Sequence, residues 1–312
     1  MFWGDEQTDF FEAILYRHLG QTVDVLDAQF LGGGDINTAA RVFTSEGAFF
    51  VKWNQANLSG TGRQAVNEPM ANGDDLFAVE ALGLARLRET NAIRVPVEIG
   101  HGRQGDKAYL ILEYLEPDTD GLRGASPTYW TQLGHQLAHL HAHTQPQFGL
   151  DHDNFIGSLV QRNTLTGDGY DFFFEQRLLP QAGQALYNGL LQKSIYDALF
   201  RLRNRLPDLL PNDRPALLHG DLWTGNVLIT EEGQPALVDP AVYYGFREAE
   251  LAFTHLFGGF DAQFQAAYEE TFPLEPGFAE RIPIYNLYPL LVHVNLFGSG
   301  YVPGVERILN RF

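Results

Sequence analysis

The sequence predicts an α+β fold with two lobes. Residues 1–115 form a small N-terminal lobe with a five-stranded antiparallel sheet and a helix, and residues 116–312 form a larger, mainly helical lobe. Short apolar segments separated by glycine and polar turns fill the chain up to about residue 115, and a helical period follows from Thr128 onward. In addition, Asp221, Asn226 and Asp239 frame a short predicted hairpin in the second lobe.

The N-terminal lobe begins with an amphipathic helix over 10–19, followed by a strand, a glycine turn and a second strand over 30–43. Gly32, Gly33 and Gly34 form the turn, and glycines allow backbone N–H groups to approach phosphates closely. We therefore expect these glycines to bind a nucleotide through their backbone. A glycine-rich hairpin turn that binds nothing is the alternative.

A third strand is predicted over 48–53, and a helix follows over 77–87. Lys52 lies at the end of this strand, where kinase folds place the lysine that holds the α- and β-phosphates of ATP. Glu80 on the helix is the expected partner, since an ion pair would hold the lysine toward the phosphates. Glu68, in a polar, glycine-rich segment, is the competing candidate.

Strands over 95–100 and 108–115 complete the predicted sheet. The last strand ends in Glu113, Tyr114 and Leu115, just before a proline that marks the expected hinge between the lobes. In a kinase-type fold the backbone of these three residues would meet the adenine of ATP. This assignment depends on the order of the elements rather than on side-chain identity.

Composition limits the classes of partner. The chain has 39 acidic and 21 basic residues and a net charge of −18, which argues against nucleic acid or an anionic membrane surface as the main partner. Cysteine is absent, which excludes disulfides and thiolate metal sites. The sequence shows neither a signal peptide pattern nor an apolar run of membrane-spanning length, so we expect a cytoplasmic protein.

The helix predicted over 130–143 carries His135, His139 and His143 on one stripe. A metal site is one interpretation, but no carboxylate shares the stripe, so polar helix histidines are favoured. The segment over 151–180 is interpreted as irregular, with its acidic residues capping helices.

The hairpin motif carries the clearest chemistry. Strands over 227–229 and 236–238 would place Asn226 and Asp239 at the two open ends of the hairpin, facing one cation. In phosphoryl transfer the protein supplies positioning and positive charge, usually through Mg²⁺. This arrangement predicts that Asp221 accepts the proton of the attacking hydroxyl and that Asn226 and Asp239 ligate Mg²⁺ beside ATP.

Gly220 stands where protein kinases have the arginine of their His-Arg-Asp motif. Without that arginine a phosphorylated activation loop has no anchor, so we expect no control of this type. His219 and Glu250 are expected to support the loop, with Glu250, on a helix predicted over 246–257, accepting hydrogen bonds from loop N–H groups. A capping or surface role is the alternative for Glu250.

The chain resembles the fructosamine kinase (ketosamine kinase) family, within the protein-kinase-like small-molecule kinases that include aminoglycoside and choline kinases. The resemblance covers nearly the whole chain. Its motifs lie at 51–52, 77–84, 151–157, 218–226, 238–245, 248–252, 256–260 and 287–301. The His-Gly-Asp core alone is typical of the wider group, whereas Trp223 and the stretches at 151–157 and 287–301 select ketosamine kinases.

The resemblance implies a two-lobed kinase fold and ATP-dependent phosphorylation of a ketosamine, the rearranged adduct of a sugar and an amine. It also implies that the acceptor is the hydroxyl on the third sugar carbon and that the product breaks down to release the amine. Two alternatives are a related kinase acting on an aminoglycoside, choline or homoserine, and a non-catalytic nucleotide-binding protein. The presence of Lys52, Asp221, Asn226 and Asp239 disfavours the second.

Trp223 follows the expected catalytic base by two positions. Its ring could form an apolar wall for the C–H face of a sugar, and core packing is the equally weighted alternative.

Overall fold

The computed structural model describes residues 5–32, 37–55 and 76–312. Gly33 and Gly34, assigned above to the nucleotide turn, and Glu68, the alternative partner of Lys52, lie outside the described residues. Gly32 is described and lies in an exposed position directly after the first strand.

The described chain forms two compact units. The first contains the described residues up to Glu89 together with Val95–Pro117, and the second contains Thr90–Arg94 together with Asp118–Phe312. The short segment Thr90–Arg94 belongs to the second unit because Arg94 bridges to Ala236, and its carbonyl oxygen accepts the N–H of Leu237 at 2.9 Å.

The first unit contains the predicted five-stranded antiparallel sheet, in the order β1-β2-β3-β5-β4. Its elements are α1 (Asp5–Leu19), β1 (Val25–Leu31), β2 (Thr38–Thr44), β3 (Gly47–Gln55), α2 (Leu76–Glu89), β4 (Glu98–Gln104) and β5 (Lys107–Glu113). The predicted elements are confirmed, with ends that differ by up to five residues.

Helix α1 covers one face of this sheet. Phe11 packs edge-on against Trp53 of β3, with ring centroids 5.4 Å apart, in a buried cluster that also contains Val51. Because side chains alternate between the faces of a strand, Lys52 points to the opposite face. Because α1 packs on the face that carries Val51 and Trp53, the side chain of Lys52 lies on the face toward α2.

The second unit is mainly helical, with short two-stranded sheets between the helices. Its elements are a 3₁₀ turn (Gly121–Gly124), α3 (Pro127–His141), β6 (Asn154–Ile156), β7 (Leu159–Gln161), α4 (Gly169–Asp171), a π-helix (Phe172–Leu178), α5 (Leu179–Tyr187), α6 (Lys193–Arg203), α7 (Leu206–Leu209), β8 (Ala216–Leu218), a 3₁₀ turn (Thr224–Asn226), β9 (Val227–Ile229), β10 (Pro235–Leu237), β11 (Tyr243–Gly245), α8 (Arg247–Leu256), α9 (Ala262–Thr271), α10 (Phe278–Tyr285), α11 (Leu287–Phe297), a 3₁₀ turn (Ser299–Tyr301) and α12 (Val302–Leu309).

Two expectations for this unit were wrong. The segment over 151–180 is not irregular, because it contains the antiparallel hairpin β6–β7 and the π-helix, although Asp168 caps α4 as expected of its acidic residues. Helix α3 ends at His141, so His143 lies beyond it and the three-histidine stripe is not continuous. Within the described ranges, no group of three or more His, Cys, Asp or Glu side chains could hold a metal ion.

Helices α3 and α9 pack closely and carry residues of the site described below. Ser126 caps α3 by accepting the N–H of Tyr129 at 3.1 Å, and Asp261 caps α9 in the same way through Gln263. At the crossing, a Cβ on Gly134 would collide with the backbone oxygen of Phe264. Glycine is therefore required for this close approach.

None of the helices in the described part of the chain combines the length and the apolar character needed to span a membrane.

Candidate active site

The segment between β8 and β9, residues 219–226, forms the candidate catalytic loop. Gly220 has a φ of +87°, in the left-handed region, and a Cβ at this position would collide with the carbonyl oxygen of Ala241. The Ala241 N–H donates to the His219 carbonyl oxygen at 2.8 Å. The loop is thus pressed against the chain that follows Asp239, and only glycine fits at the contact.

Glu250, in the first turns of α8, binds the backbone of this loop through its carboxylate. Its carboxylate accepts the backbone N–H groups of His219 (3.1 Å) and Gly220 (2.6 Å), which confirms the predicted contact. The same carboxylate lies 2.9 Å from Nε2 of His141, the last residue of α3. Burial alone would raise the pKa of Glu250, but the hydrogen bonds from His141 and the loop hold it below its usual value. Glu250 is therefore a buried anion with three N–H partners.

A series of hydrogen bonds between side chains continues from His141. Its Nδ1 lies 2.8 Å from the hydroxyl of Tyr268 on α9, and that hydroxyl lies 3.4 Å from Nη1 of Arg247. Arg247 in turn donates through Nε to Asp213 at 3.0 Å. These contacts fix the histidine that orients the Glu250 carboxylate.

His219 locks the backbone of the loop. Its Nε2 donates to the carbonyl oxygen of Val238 at 2.9 Å, and its Nδ1 accepts the N–H of Asp221 at 3.3 Å. Burial lowers the pKa of His219, so the ring is neutral at pH 7 and carries its proton on Nε2. The predicted supporting role of His219 is consistent with these contacts.

Asp221, Asn226 and Asp239 lie together, at the ends of the hairpin β9–β10. The Asn226 amide nitrogen Nδ2 donates to Asp221 Oδ2 at 2.9 Å and to the Asp221 carbonyl oxygen at 2.8 Å. It also lies 3.5 Å from the Asp239 carbonyl oxygen, and the Val238 N–H donates to the Asn226 carbonyl oxygen at 3.0 Å. The orientation of the amide makes Oδ1 the atom of Asn226 that could ligate a cation.

The donor set fits Mg²⁺. Asp239 is exposed and adopts a left-handed backbone with a φ of +53°, a conformation that aspartate tolerates better than most residues. Its carboxylate and the amide oxygen of Asn226 are hard oxygen ligands, and Mg²⁺ is typically bound by one or two such groups with phosphates and water. Two protein ligands are therefore sufficient for a magnesium–nucleotide site.

The surroundings of Asp221 raise the pKa of its carboxyl group. Burial raises its pKa to about 7, the neighbouring charges of Asp239 and Glu250 act in the same direction, and the hydrogen bond from Asn226 opposes them. A base with a pKa near the working pH accepts a proton efficiently and remains partly ionised. The carboxylate is half-buried and also lines the pocket described below.

The raised pKa of Asp221 predicts a pH-dependent cost to stability. The folded pKa of about 7 exceeds the ordinary value of 3.8, so the stability that protonation contributes is fully present below 3.8 and is lost as pH rises through about 7. Asp221→Asn mimics the protonated form. Relative to wild type, its free energy of unfolding should rise by roughly 3 kcal/mol from about pH 5 to about pH 8, because each pKa unit is about 1.4 kcal/mol.

Urea unfolding without nucleotide or metal at both pH values measures this difference. Asp261→Asn is the matched control, because asparagine caps a helix as well as aspartate and Asp261 is exposed. A gain in stability of Asp221→Asn that is the same at both pH values would contradict the raised pKa.

The first unit places Lys52 and Glu80 together. Lys52 Nζ lies 2.6 Å from Glu80 Oε1, with both side chains largely buried. The predicted pairing is therefore confirmed, and Glu80 rather than Glu68 is the partner that the described residues show. A buried pair of this kind holds the lysine in one extended conformation.

Sequence reasoning missed Arg41, which lies in the middle of β2 in the same sheet. Arg41 donates to both carboxylate oxygens of Glu116, and its guanidinium carbon lies 4.3 Å from the ring centroid of Tyr114. The Glu113 N–H donates a hydrogen bond to the Val97 carbonyl oxygen at 2.7 Å. The Glu113 N–H is therefore not available for the adenine contact expected from the sequence.

A pocket in the second unit opens beside Asp221 and was not predicted. Its walls are mainly aromatic and apolar, and they come from the hairpin β6–β7, the π-helix, β11, α8, α10 and α11. The lining residues are Ile156, Phe173, Gly220, Asp221, Tyr243, Ala249, Glu250, Phe253, Tyr285, Tyr288, Pro289, Val292 and His293. Burial lowers the pKa of His293, so at pH 7 the charge of the lining comes from Glu250 and from the partly ionised Asp221.

Trp223 is not among the residues that line this pocket. Its side chain is 39% exposed, and its ring lies so close to Gly225 that a Cβ there would collide with it. This exposure disfavours core packing, the alternative weighed above. The ring instead forms part of the exposed surface of the catalytic loop itself.

Comparisons with known proteins agree with this geometry. The model of the fructosamine kinase family matches residues 8–312. A probable ketoamine kinase of Enterococcus faecium is 38% identical over 282 residues, which cover 90% of this chain and 93% of that protein. A chloroplastic protein-ribulosamine 3-kinase of Oryza sativa subsp. indica is 36% identical over 299 residues, which cover 94% of this chain and 80% of that protein.

The same likeness extends to three dimensions. The crystal structure of a candidate fructosamine-3-kinase from Haemophilus somnus superposes with a TM-score of 0.82 at 27% sequence identity. The superposition covers 96% of each chain.

Proposed function

Because the chain belongs to the fructosamine kinase family, we propose that it transfers the γ-phosphoryl group of ATP to a sugar hydroxyl of a ketosamine. The family match confirms the resemblance drawn from the sequence, and with it the kinase-like α+β fold. We further propose that the acceptor is the hydroxyl on the third sugar carbon, in keeping with the name of the rice relative.

Asp221 is the proposed general base, and the observation that carries the proposal is the environment of its carboxylate. Burial raises the pKa of this carboxyl to about 7, Asn226 Nδ2 holds it at 2.9 Å, and it lines the pocket described above. In the transfer step Asp221 takes the proton of the acceptor hydroxyl, and the oxygen of that hydroxyl forms a bond to the γ-phosphorus. The bond from that phosphorus to the β,γ-bridging oxygen breaks, and ADP leaves.

The nucleotide-binding roles expected from the sequence are kept as proposals. Lys52, held extended by Glu80, is proposed to contact the α- and β-phosphates. Gly32, with the two glycines after it, is proposed to contact the phosphates through the backbone. Asn226 and Asp239 would hold Mg²⁺, which neutralises charge on the phosphates.

The pocket beside Asp221 is the proposed acceptor site. Aromatic rings such as Tyr243, Tyr285 and Tyr288 offer flat apolar faces to the C–H groups of a sugar. Its charged groups are the carboxylates of Asp221 and Glu250, which repel an anionic acceptor and favour a neutral or cationic one. A ketosamine, whose amine is protonated near neutral pH, meets this requirement.

Trp223 is proposed to contact the acceptor from the exposed side of the catalytic loop. Trp223→Ala should raise the KM for the ketosamine about tenfold and leave the KM for ATP within about twofold, because the lost contact is with the acceptor alone. Trp223→Phe, which keeps an aromatic face, should restore most of the affinity. Equal increases in both KM values would argue for a structural role.

The proposed activity is tested by incubating the protein with Mg-ATP and a panel of acceptors. The panel holds fructosamines and ribulosamines, with an aminoglycoside, choline and homoserine as rival alcohols. Phosphorus NMR then identifies the acceptor and the phosphorylated carbon. Phosphorylation of a rival alcohol without any ketosamine would overturn the proposal, and binding of ATP with no transfer to any acceptor would favour a non-catalytic protein. The cytoplasmic location expected from the sequence stays a prediction.

A further inference from the structure

A buried polar cluster lies beneath the chain segment that follows Asp239. Asn154 and Gln161 come from the hairpin β6–β7, Asn163 follows it, Arg177 lies on the π-helix and Tyr288 lies on α11. All five side chains are less than one-tenth exposed. We call them the Gln161 network.

Two amides of the network hold the backbone next to the catalytic loop. Gln161 Nε2 donates to the carbonyl oxygen of Ala241 at 3.0 Å, and Asn154 Nδ2 donates to that of Val242 at 2.8 Å. Ala241 also donates its N–H to His219, and its carbonyl oxygen is the atom against which Gly220 packs. The two amides therefore fix the segment on which the catalytic loop rests.

The remaining contacts fix the orientation of these amides. Tyr288 donates its hydroxyl to Gln161 Oε1 at 2.7 Å, and Gln161 Nε2 also donates to Asn154 Oδ1 at 2.8 Å. Asn163 Nδ2 donates to the same Asn154 oxygen at 3.0 Å, and Arg177 donates to Asn163 Oδ1 at 2.7 Å. Because each amide oxygen accepts a hydrogen bond, the amide nitrogens of Asn154 and Gln161 are directed at the Ala241–Val242 backbone.

Arg177 brings a buried positive charge into this network. In the part of the chain that the structure describes, no ion pair links it to a carboxylate. Its guanidinium carbon instead lies 3.9 Å from the ring centroid of Tyr243 and 5.5 Å from that of Tyr288. Both tyrosines line the pocket beside Asp221. Since cations are attracted to aromatic faces, Arg177 stabilises the positions of these two tyrosines in addition to donating its hydrogen bond to Asn163.

We infer that Gln161 and Asn154 are positioning residues that couple the wall of the acceptor pocket to the catalytic loop, an inference that rests on the proposed function. The coupling runs from Tyr288 through Gln161 to Ala241, and from there to His219 and Asp221. It gives a physical role to the two stretches that select the family in the sequence, because 151–157 supplies Asn154, 287–301 supplies Tyr288, and they meet at Gln161.

The test uses Gln161→Met, Tyr288→Phe and the double variant, with each protein assayed well below its own Tm. Gln161→Met is nearly isosteric and removes the donors to Ala241 and Asn154, so kcat should fall about 10- to 100-fold while the KM for ATP stays within about twofold. Tyr288→Phe, the milder change, should lower kcat about three- to tenfold.

The double variant separates positioning from stability. Gln161→Met leaves the buried Tyr288 hydroxyl without a hydrogen-bond acceptor. The added Tyr288→Phe removes this unpaired hydroxyl, so the Tm of the double variant should recover in part. The hydrogen bond to Ala241 remains absent, so kcat should stay low. A purely structural network would instead restore kcat together with Tm.

Gln181→Met is the matched control. Gln181 is buried and accepts Asn295 Nδ2 at 2.8 Å, but among the residues that the structure describes its hydrogen bonds do not reach the segment after Asp239. It should lower Tm and leave kcat within about twofold of wild type. If Gln161→Met keeps wild-type kcat, or if the double variant regains kcat along with Tm, the inference is overturned. A wild-type enzyme that phosphorylates no ketosamine would overturn the proposed function, and this inference with it.

Discussion

Replacing Asp221 by asparagine is expected to lower kcat by a factor of about 10²–10⁴, the range typical for loss of a general base. Asparagine has the same shape and can still accept the hydrogen bond from Asn226 Nδ2, so the loop should keep its geometry. It cannot take the proton of the acceptor hydroxyl. Steady-state kinetics with Mg-ATP and the best acceptor of the panel measure kcat, and calorimetry measures ATP binding, which should change little.

Asp261→Asn, the helix-cap control used above for stability, should retain wild-type kcat, because the Asp261 side chain caps the start of α9 by accepting the Gln263 N–H. A kcat of Asp221→Asn within a few-fold of wild type would remove Asp221 from the role of base. Loss of ATP binding in this variant would show instead that the loop had collapsed.

Glu250→Gln is expected to reduce both stability and turnover. Three N–H donors, from His219, Gly220 and His141, converge on the carboxylate. An amide offers one oxygen and adds two N–H donors, so at least one buried donor loses its acceptor, at a cost of about 1–3 kcal/mol. Because the loop backbone then shifts beneath Asp221, kcat should fall about 10- to 100-fold, with the KM for ATP little changed.

Glu248→Gln provides a control on the same helix. Glu248 is 2% exposed and Glu250 3%, but Glu248 pairs with Arg281 at 2.5 and 2.6 Å rather than with the loop. It should lose stability by thermal unfolding and keep its kcat within about twofold. Similar losses of kcat in both variants, assayed equally far below their Tm values, would mean that Glu250 acts only through stability.

The parts of the site that the sequence predicted are those encoded over short distances. Asn226 and Asp239 are joined by a hairpin, so their spacing alone indicates that the two residues lie close together. The pairing of Lys52 with Glu80 followed from the order of a strand and a helix, which a kinase-type fold constrains strongly. Gly220 was noted for the arginine it replaces, but its collision with Ala241 could be seen only in three dimensions.

The parts that sequence reasoning missed depend on contacts between distant segments. His141 reaches Glu250 across 109 positions, and Tyr288 reaches Gln161 across 127. In the sequence these are a histidine at a helix end and a tyrosine in an apolar helix, with no local pattern that distinguishes them. The histidine stripe drew attention to His135, His139 and His143, whereas His141 lies on the opposite, buried face of α3.

The left-handed glycine of the catalytic loop restricts which side chains position 220 can carry. An arginine at position 220 would need both a φ of +87° and the space now filled by the Ala241 carbonyl oxygen. Arginine at this position would therefore strain the backbone and displace the chain that follows Asp239. The arginine that anchors a phosphorylated activation loop in protein kinases does not fit this loop in its present conformation.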